Sequence, residues 1–200
     1  MNGPDLTDAV AAIRRGDLVV YPTETVYGLG ADALDPEAIG RVFDAKGRPR
    51  GNPLSMAVPE HSAAEEYTRP SERERRFCER FLPGPVTVLL ERTERVPDVL
   101  VAGGDRVGIR VPDHDVARTL ARRTGPITAT SANRSGRRSA RRIADVDPAI
   151  RGRATVVDGG ETAGTESTVV DVSADRIVRR GALADEIEAW LVDGSEGVAE

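Results

Sequence analysis

DLVVYPTETVYGLGADALDPEAIGRVFDAKGRPRGNPLSMAV, residues 17–58, is the stretch around which the chain is organised. Leu18, Val19, Val20 and Tyr21 form an unbroken apolar, β-branched run of the kind a buried strand needs. Pro22 has no N–H and a fixed φ, so regular pairing is expected to stop there. Thr23-Glu24-Thr25 and Tyr27-Gly28-Leu29-Gly30 then read as a polar, glycine-bearing loop. Glycines let the backbone approach a ligand closely, and threonine hydroxyls both donate and accept hydrogen bonds. Asp35 is an N-cap and Pro36 a first-turn residue for a helix that ends near Gly47. A basic loop with Lys46, Arg48 and Arg50 follows. A polar loop and a basic loop thus leave opposite ends of one strand–helix unit, the layout of a binding site at a sheet edge.

Of the 28 basic residues, 27 are arginine and Lys46 is the single lysine. A chain that writes nearly every cation as Arg fits a GC-rich genome. A lysine kept within it marks a place that needs a compact ammonium rather than a planar fork. The alternative is a solvated helix end whose cation complements the helix dipole. Pro49 and Pro53 restrict the loop around Lys46, which favours the functional reading.

A length of 200 residues supports one domain with a substantial core, expected over residues 1–193, with a small acidic tail at 194–200 expected to fray. A net charge of −5 excludes a chain that is basic throughout. No signal-like segment or long apolar run is present, so neither secretion nor a membrane span is expected. The single cysteine, Cys78, allows no internal disulfide and fits a reducing cytoplasm. His61 and His114 lie far apart without metal-ligand companions, so no protein-built metal site is expected.

Thr7 is placed to cap a first helix at 8–15. Ser71 and Glu74 form a capping box for a helix at 72–81, with Cys78 on its buried face. Further helices are expected at 115–123 and 185–191, and strands at 54–58, 86–90, 107–111, 127–130, 154–157, 167–172 and 177–179. Several strand-to-strand links are too short for helical crossovers, so the expected fold is α/β with a mixed sheet.

The familiar nucleotide-binding and hydrolase signatures G-x-x-x-x-G-K-[S/T], G-x-G-x-x-G and G-x-S-x-G are absent. The run from Thr128 to Gly136 places short hydrogen-bonding side chains after an apolar strand, suited to phosphate oxygens or to a plain Ser/Asn turn. Gly164-Thr165-Glu166-Ser167-Thr168 by itself is a strand-entry turn. Arg106 and Arg110, four apart in a strand, share a face. Residues 134–153 hold seven arginines against Asp145 and Asp147, enough for a triphosphate or an RNA backbone, or for a solvated, salt-laced surface. No aromatic residue lies among them, so base stacking is not supported there.

Taken in order, the motifs resemble the YrdC-like family of threonylcarbamoyl-AMP synthases. They are Tyr21-Pro22-Thr23-Glu24-Thr25-Val26-Tyr27-Gly28-Leu29-Gly30, Lys46-Gly47-Arg48-Pro49 with Asn52-Pro53-Leu54, Pro83-Gly84-Pro85-Val86-Thr87, Arg110-Val111-Pro112, Ser131-Ala132-Asn133 with Ser135-Gly136, and Glu166-Ser167-Thr168-Val169-Val170-Asp171. The resemblance implies a single-domain, open, twisted mixed sheet with flanking helices and a concave, positively charged surface. It also implies a reaction in which L-threonine, bicarbonate and ATP give threonylcarbamoyl-AMP and pyrophosphate. A partner transferase would then carry the group to adenosine 37 of tRNA.

By the same matching, Lys46, Arg48, Ser131 and Asn133 form the catalytic nucleotide signature, and Asn52, Ser139 and Arg179 are further ATP contacts. Thr25, Arg110 and Ser167 would hold threonine, with Arg110 facing its carboxylate. Mg²⁺ would bridge phosphate oxygens rather than sit in a protein cage. No residue is nominated as general base. Two departures stand out, Ala57 where some relatives carry histidine and Arg179-Arg180-Gly181 where many read Arg-Pro-Gly, and the extra C-terminal domain of the longer members is not expected. The alternative reading is a non-catalytic module that binds tRNA or other double-stranded RNA on the concave surface.

Overall fold

The computed structural model describes residues 5–193. In chain order the elements are α1 (Thr7–Arg14), β1 (Leu18–Tyr21), β2 (Gly28–Gly30), α2 (Pro36–Lys46), β3 (Ser55–Ala57), α3 (Glu72–Phe81), β4 (Val86–Glu91) and β5 (Arg106–Arg110). There follow α4 (Asp115–Thr124), β6 (Ile127–Ser131), α5 (Pro148–Arg151), β7 (Ala154–Val156), β8 (Thr168–Asp171), β9 (Arg176–Arg179) and α6 (Ala184–Asp193). The tail expected at 194–200 lies outside the described residues.

The nine strands form one sheet in the order β7-β1-β2-β6-β3-β5-β4-β8-β9. Pairing is mixed, as the short links require. β1 with β7, β3 with β5 and β4 with β8 are parallel, and the other neighbours are antiparallel. Local chemistry sets most of the ends. Asp35 caps α2 by accepting from the Glu37 amide at 2.8 Å, and Gly47 closes it in the left-handed conformation. The Ser71/Glu74 capping box starts α3, whose Phe77 and Phe81 rings meet Trp190 of α6 edge-on.

Two local expectations are corrected. Helix α1 begins at Thr7 itself, and Thr7 is not its cap: Asp5 Oδ1 accepts from the Thr7 amide at 2.9 Å and its hydroxyl at 2.7 Å. The carboxylate two residues upstream takes the role assigned to the hydroxyl. The larger correction concerns residues 28–30, which form strand β2 rather than a loop. The side chain of Tyr21 crosses its neighbouring strand, and a Cβ at Gly28 or Gly30 would lie 2.8 Å from its ring. Glycine's poor strand propensity yields here to the need for space under a fully buried ring.

Alternation along the strands then divides the two faces. Leu18, Val20, Met56, Val86, Val88, Val107, Ile109 and Val170 enter the larger core. Val19, Tyr21, Ala57 and Ile127 face the other way and pack with Ala9, Val10 and Ile13 of α1 and Val116 and Leu120 of α4. Those two helices pack against β1, β7 and β3. Farther along the same face, Thr87, Leu89, Arg106, Gly108, Arg110 and Val169 line a cavity instead. The site therefore sits where the helical cover of one sheet face stops.

Substitution of Gly30 by Ala forces a methyl into the Tyr21 ring, a buried overpacking of the kind that costs about 1–3 kcal/mol. Chemical denaturation is expected to show a loss of that size, and an unchanged midpoint would contradict the glycine–tyrosine account of β2.

Candidate substrate-binding site

The cavity has a volume of about 300 Å³. Its floor is made of small residues, Gly28, Ser55, Gly108 and Ala129, because the strands beneath leave no room for more. A Cβ on Gly108 would come within 2.5 Å of the Ser55 hydroxyl and 3.0 Å of Thr87. Around that floor stand Thr23, Thr25, Thr87, Ser131 and Ser167, with Arg48, Arg106, Arg110 and Arg179 above them. Among the described residues Glu166 is the one carboxylate in the lining.

Lys46 sits at the end of α2 and is 2% exposed. Its Nζ donates to the carbonyl oxygens of Ser131 and Asn133, the latter at 2.7 Å, and the Ser135 amide donates back to the Lys46 carbonyl at 2.9 Å. The single lysine thus ties the basic loop to the loop after β6. Burial, reinforced by the nearby Arg48 charge and opposed by Glu166, pushes its pKa down to about 8. Arg48 donates from Nε to the Asn52 carbonyl at 3.0 Å and from Nη2 to the Pro53 carbonyl at 2.9 Å. Its own pKa is lowered by burial and then by Arg179. Cations are being held together here without enough acid to match them.

Strand β5, the loop after β1 and the residue before β8 supply a second group. Arg110 Nη2 donates to Thr25 Oγ1 at 2.6 Å and to Glu24 Oε1 at 2.9 Å, and Thr25 Oγ1 lies 2.9 Å from Thr23 Oγ1. Arg110 Nε and Glu24 Oε2 are buried without a partner, as is Asn133 Oδ1. Ser167 Oγ lies 3.2 Å from Thr87 Oγ1 and accepts from Arg179 Nη2 at 3.0 Å. The arrangement can hold two anionic groups in one cavity, with short hydroxyls to orient what they carry.

A family model named Sua5_yciO_yrdC, with the description telomere recombination, matches residues 11–181. The chain belongs to the Sua5/YciO/YrdC family. The threonylcarbamoyl-AMP synthase of Bacillus subtilis (strain 168) is 40% identical over 198 residues, which cover 95% of this chain and 57% of that one. Its counterpart from Pyrococcus abyssi is 44% identical over 170 residues, covering 82% and 50%. The crystal structure of P. abyssi Sua5 complexed with L-threonine matches with a TM-score of 0.85 at 41% identity, over 91% of this chain and 56% of that chain. The chain spans about half the length of these relatives.

The residues that match the family's motifs fall at different depths of the site. Thr25, Arg48, Arg110, Ser131, Ser167 and Arg179 line the cavity. Lys46 and Asn133 stand behind it: the Asn133 amide donates to the Arg134 and Arg137 carbonyls at 2.9 and 2.6 Å. Asn52 is exposed and outside the lining, and it meets the site through its backbone carbonyl, which Arg48 uses. Ser139 is also outside the lining and donates to Glu166 Oε1 at 2.5 Å. Arg180, the neighbour that competes with Arg179 in the sequence, turns away to Asp185 and Glu188. Ala57 is fully buried between strand and helix, so nothing there faces the cavity.

Sequence reasoning passed over Glu24, Glu166 and Thr87 as site residues. Glu24 and Glu166 lie inside the motifs, but their partners Arg110 and Ser139 are 86 and 27 residues away. No local pattern could join them. In the 134–153 stretch, Arg141 and Arg142 both pair with Glu161, while Arg134 reaches over Gly47 beside the basic loop. Among the described residues no group of three His, Cys, Asp or Glu side chains is arranged to hold a metal ion.

The Lys46 geometry carries a pH signature. An unfolded chain keeps this proton up to about 10.5, whereas the folded chain releases it near 8, so between those values the unfolded chain binds more protons. Raising pH through that window favours the folded state. Compared with Lys46→Met, the wild type is expected to gain stability from pH 8 to 10.5 in denaturant titrations. A pH-independent difference would show that Lys46 is not desolvated.

Proposed function

We propose that this protein makes threonylcarbamoyl-AMP and pyrophosphate from L-threonine, bicarbonate and ATP. The observation that carries the reading is one cavity lined both by Arg110 with Thr25 and by Arg48 with Arg179. That is one cation set for an amino-acid carboxylate and another for phosphates. Relatives named for this activity and a relative's complex with L-threonine support it.

In this reading Arg110 takes the threonine carboxylate while Thr25 and Ser167 orient the amino acid. Threonine's amine first forms a carbamate with bicarbonate, releasing water. A carbamate oxygen then bonds to the α-phosphorus, and the bond from that phosphorus to the bridging oxygen breaks, so pyrophosphate leaves with the electron pair. The chain's task is alignment and neutralisation of developing charge rather than covalent chemistry. Arg48 and Arg179 face the phosphates, with the Ser131 hydroxyl beside them. Lys46 and Asn133 hold the loop that carries that hydroxyl, and Ser139 and Asn52 complete the nucleotide side from its rim. Apart from the Glu166 carboxylate, the polar side chains around the cavity are cationic and hydroxylic, which fits phosphate oxygens and not a resident metal. Mg²⁺ would therefore arrive on the triphosphate and supply further charge neutralisation there.

A threonylcarbamoyl transferase would take the product on to tRNA, and the setting would be the cytoplasm. Among the described residues no helix is long and apolar enough to cross a membrane.

Pyrophosphate release is expected to require ATP, L-threonine and bicarbonate together, and the double change Lys46→Ala, Arg48→Ala should abolish it. Release that is indifferent to threonine or bicarbonate would refute the synthase. If there is no release and RNA is retained, the protein is the non-catalytic RNA-binding module instead. Arg110→Ala removes a charge-assisted hydrogen bond and should raise the KM for threonine by about 10- to 100-fold, with a much smaller effect on the KM for ATP. Equal effects on both substrates would remove Arg110 from the threonine side.

A further inference from the structure

Glu166 is unexpected in this site: a carboxylate among residues that would receive phosphates. Its Oε1 accepts from the Ser139 hydroxyl at 2.5 Å, and its Oε2 lies 3.4 Å from Arg179 Nη1. Two of the other three cavity arginines are already matched elsewhere. Arg110 pairs with Glu24 at 2.9 Å, and Arg106 with Glu74 at 2.8 Å and Asp171 at 3.4 Å. Arg48 meets backbone carbonyls and has no carboxylate partner among the described residues. The local positive charge of Arg48, Arg179 and Lys46 is thus answered inside the cavity by Glu166.

The backbone at this position is fixed, whereas the side chain is held only through Ser139 and Arg179. The Ala182 amide donates to the Glu166 carbonyl at 2.9 Å, and a Cβ on Gly181 would come within 2.3 Å of that oxygen. The side chain is 45% exposed, so the carboxylate can leave by side-chain rotation once the Ser139 and Arg179 contacts are exchanged. Arg179 stays in place when it does, because Nη2 also donates to the Ser167 carbonyl at 2.8 Å and the Ser167 hydroxyl at 3.0 Å.

We infer that Glu166 is the resident anion of the phosphate site, exchanging with the phosphates of the nucleotide and returning as pyrophosphate leaves. The inference rests on the synthase reading and deepens it. A carboxylate presents two oxygens to the same guanidinium and hydroxyl that a phosphate would use. It holds these donors together in the free protein, yet a bound polyphosphate beside it meets a like charge. Glu166 therefore lowers affinity for nucleotide and pyrophosphate alike, which favours turnover over product retention.

The test is calorimetric titration of the full chain with Mg²⁺–ATP and, separately, with Mg²⁺–pyrophosphate, comparing wild type with Glu166→Gln and Glu166→Ala. Gln keeps the shape and an acceptor for Ser139 while removing the charge. Both variants are expected to bind pyrophosphate about two- to five-fold more tightly, the range for a half-exposed charge, with the gain shrinking as salt is raised. Wild-type binding of both ligands with equal or weaker binding by the variants overturns the resident-anion role and leaves the synthase intact. A wild type that binds neither ligand overturns the synthase reading and this inference with it.

Discussion

The buried ammonium of Lys46 is the constraint on which the site depends. A desolvated cation is costly unless its protons find acceptors, and here the acceptors are the carbonyls of Ser131 and Asn133. The end of α2 and the loop after β6 are therefore held at one separation by a bond that neither can abandon cheaply. Because β6 lies between β2 and β3, that loop is anchored at the centre of the sheet. The basic loop inherits the sheet's rigidity through one side chain. Arginine would bring a wider planar head to the same narrow place, which gives the lone lysine of an arginine-rich chain a physical reason.

The second constraint is the unequal cover of the sheet. Strand alternation gives every strand two faces, but α1 and α4 occupy only part of one of them. Beyond their edge the inward positions of β4, β5 and β8 carry Thr87, Arg106, Gly108, Arg110 and Val169 instead of a packed apolar set. Small floor residues keep the cavity open, and Arg106 and Arg110 of β5, on either side of Gly108, line it together. Tyr21 marks the boundary: its ring closes the packed side, lies over two glycines and reaches the Thr128 carbonyl at 3.3 Å. Packing and binding thus share one sheet face.

Much of this was legible in the sequence. Proline, capping residues and glycine stops located α2 and α3, and short apolar, β-branched runs located the strands of the larger core. The short links also told correctly of a mixed sheet. Arg106 and Arg110 could be put on one face by counting, and the ordered motifs gathered most of the cavity lining. Strand β2 was not legible, because its glycines answer to a ring brought from the next strand and not to their own propensity. Nor was Asp5 as the start of α1, since two acceptors within three residues compete and geometry decides.

The sequence by itself determined most of the elements, the family and the inventory of hydroxyls and cations, because those are read from residue order or from neighbours within one turn or one strand. Tertiary structure alone decided how that inventory is deployed. It turned Lys46 inward to carbonyls 85 and 87 residues away, left Asn52 and Ser139 at the rim, and chose Arg179 over Arg180. It also set Glu24 on Arg110 and Glu166 on Ser139 and Arg179. Charge pairing acts through space over a few ångströms, and chain distance carries no record of it until the sheet has closed the gap.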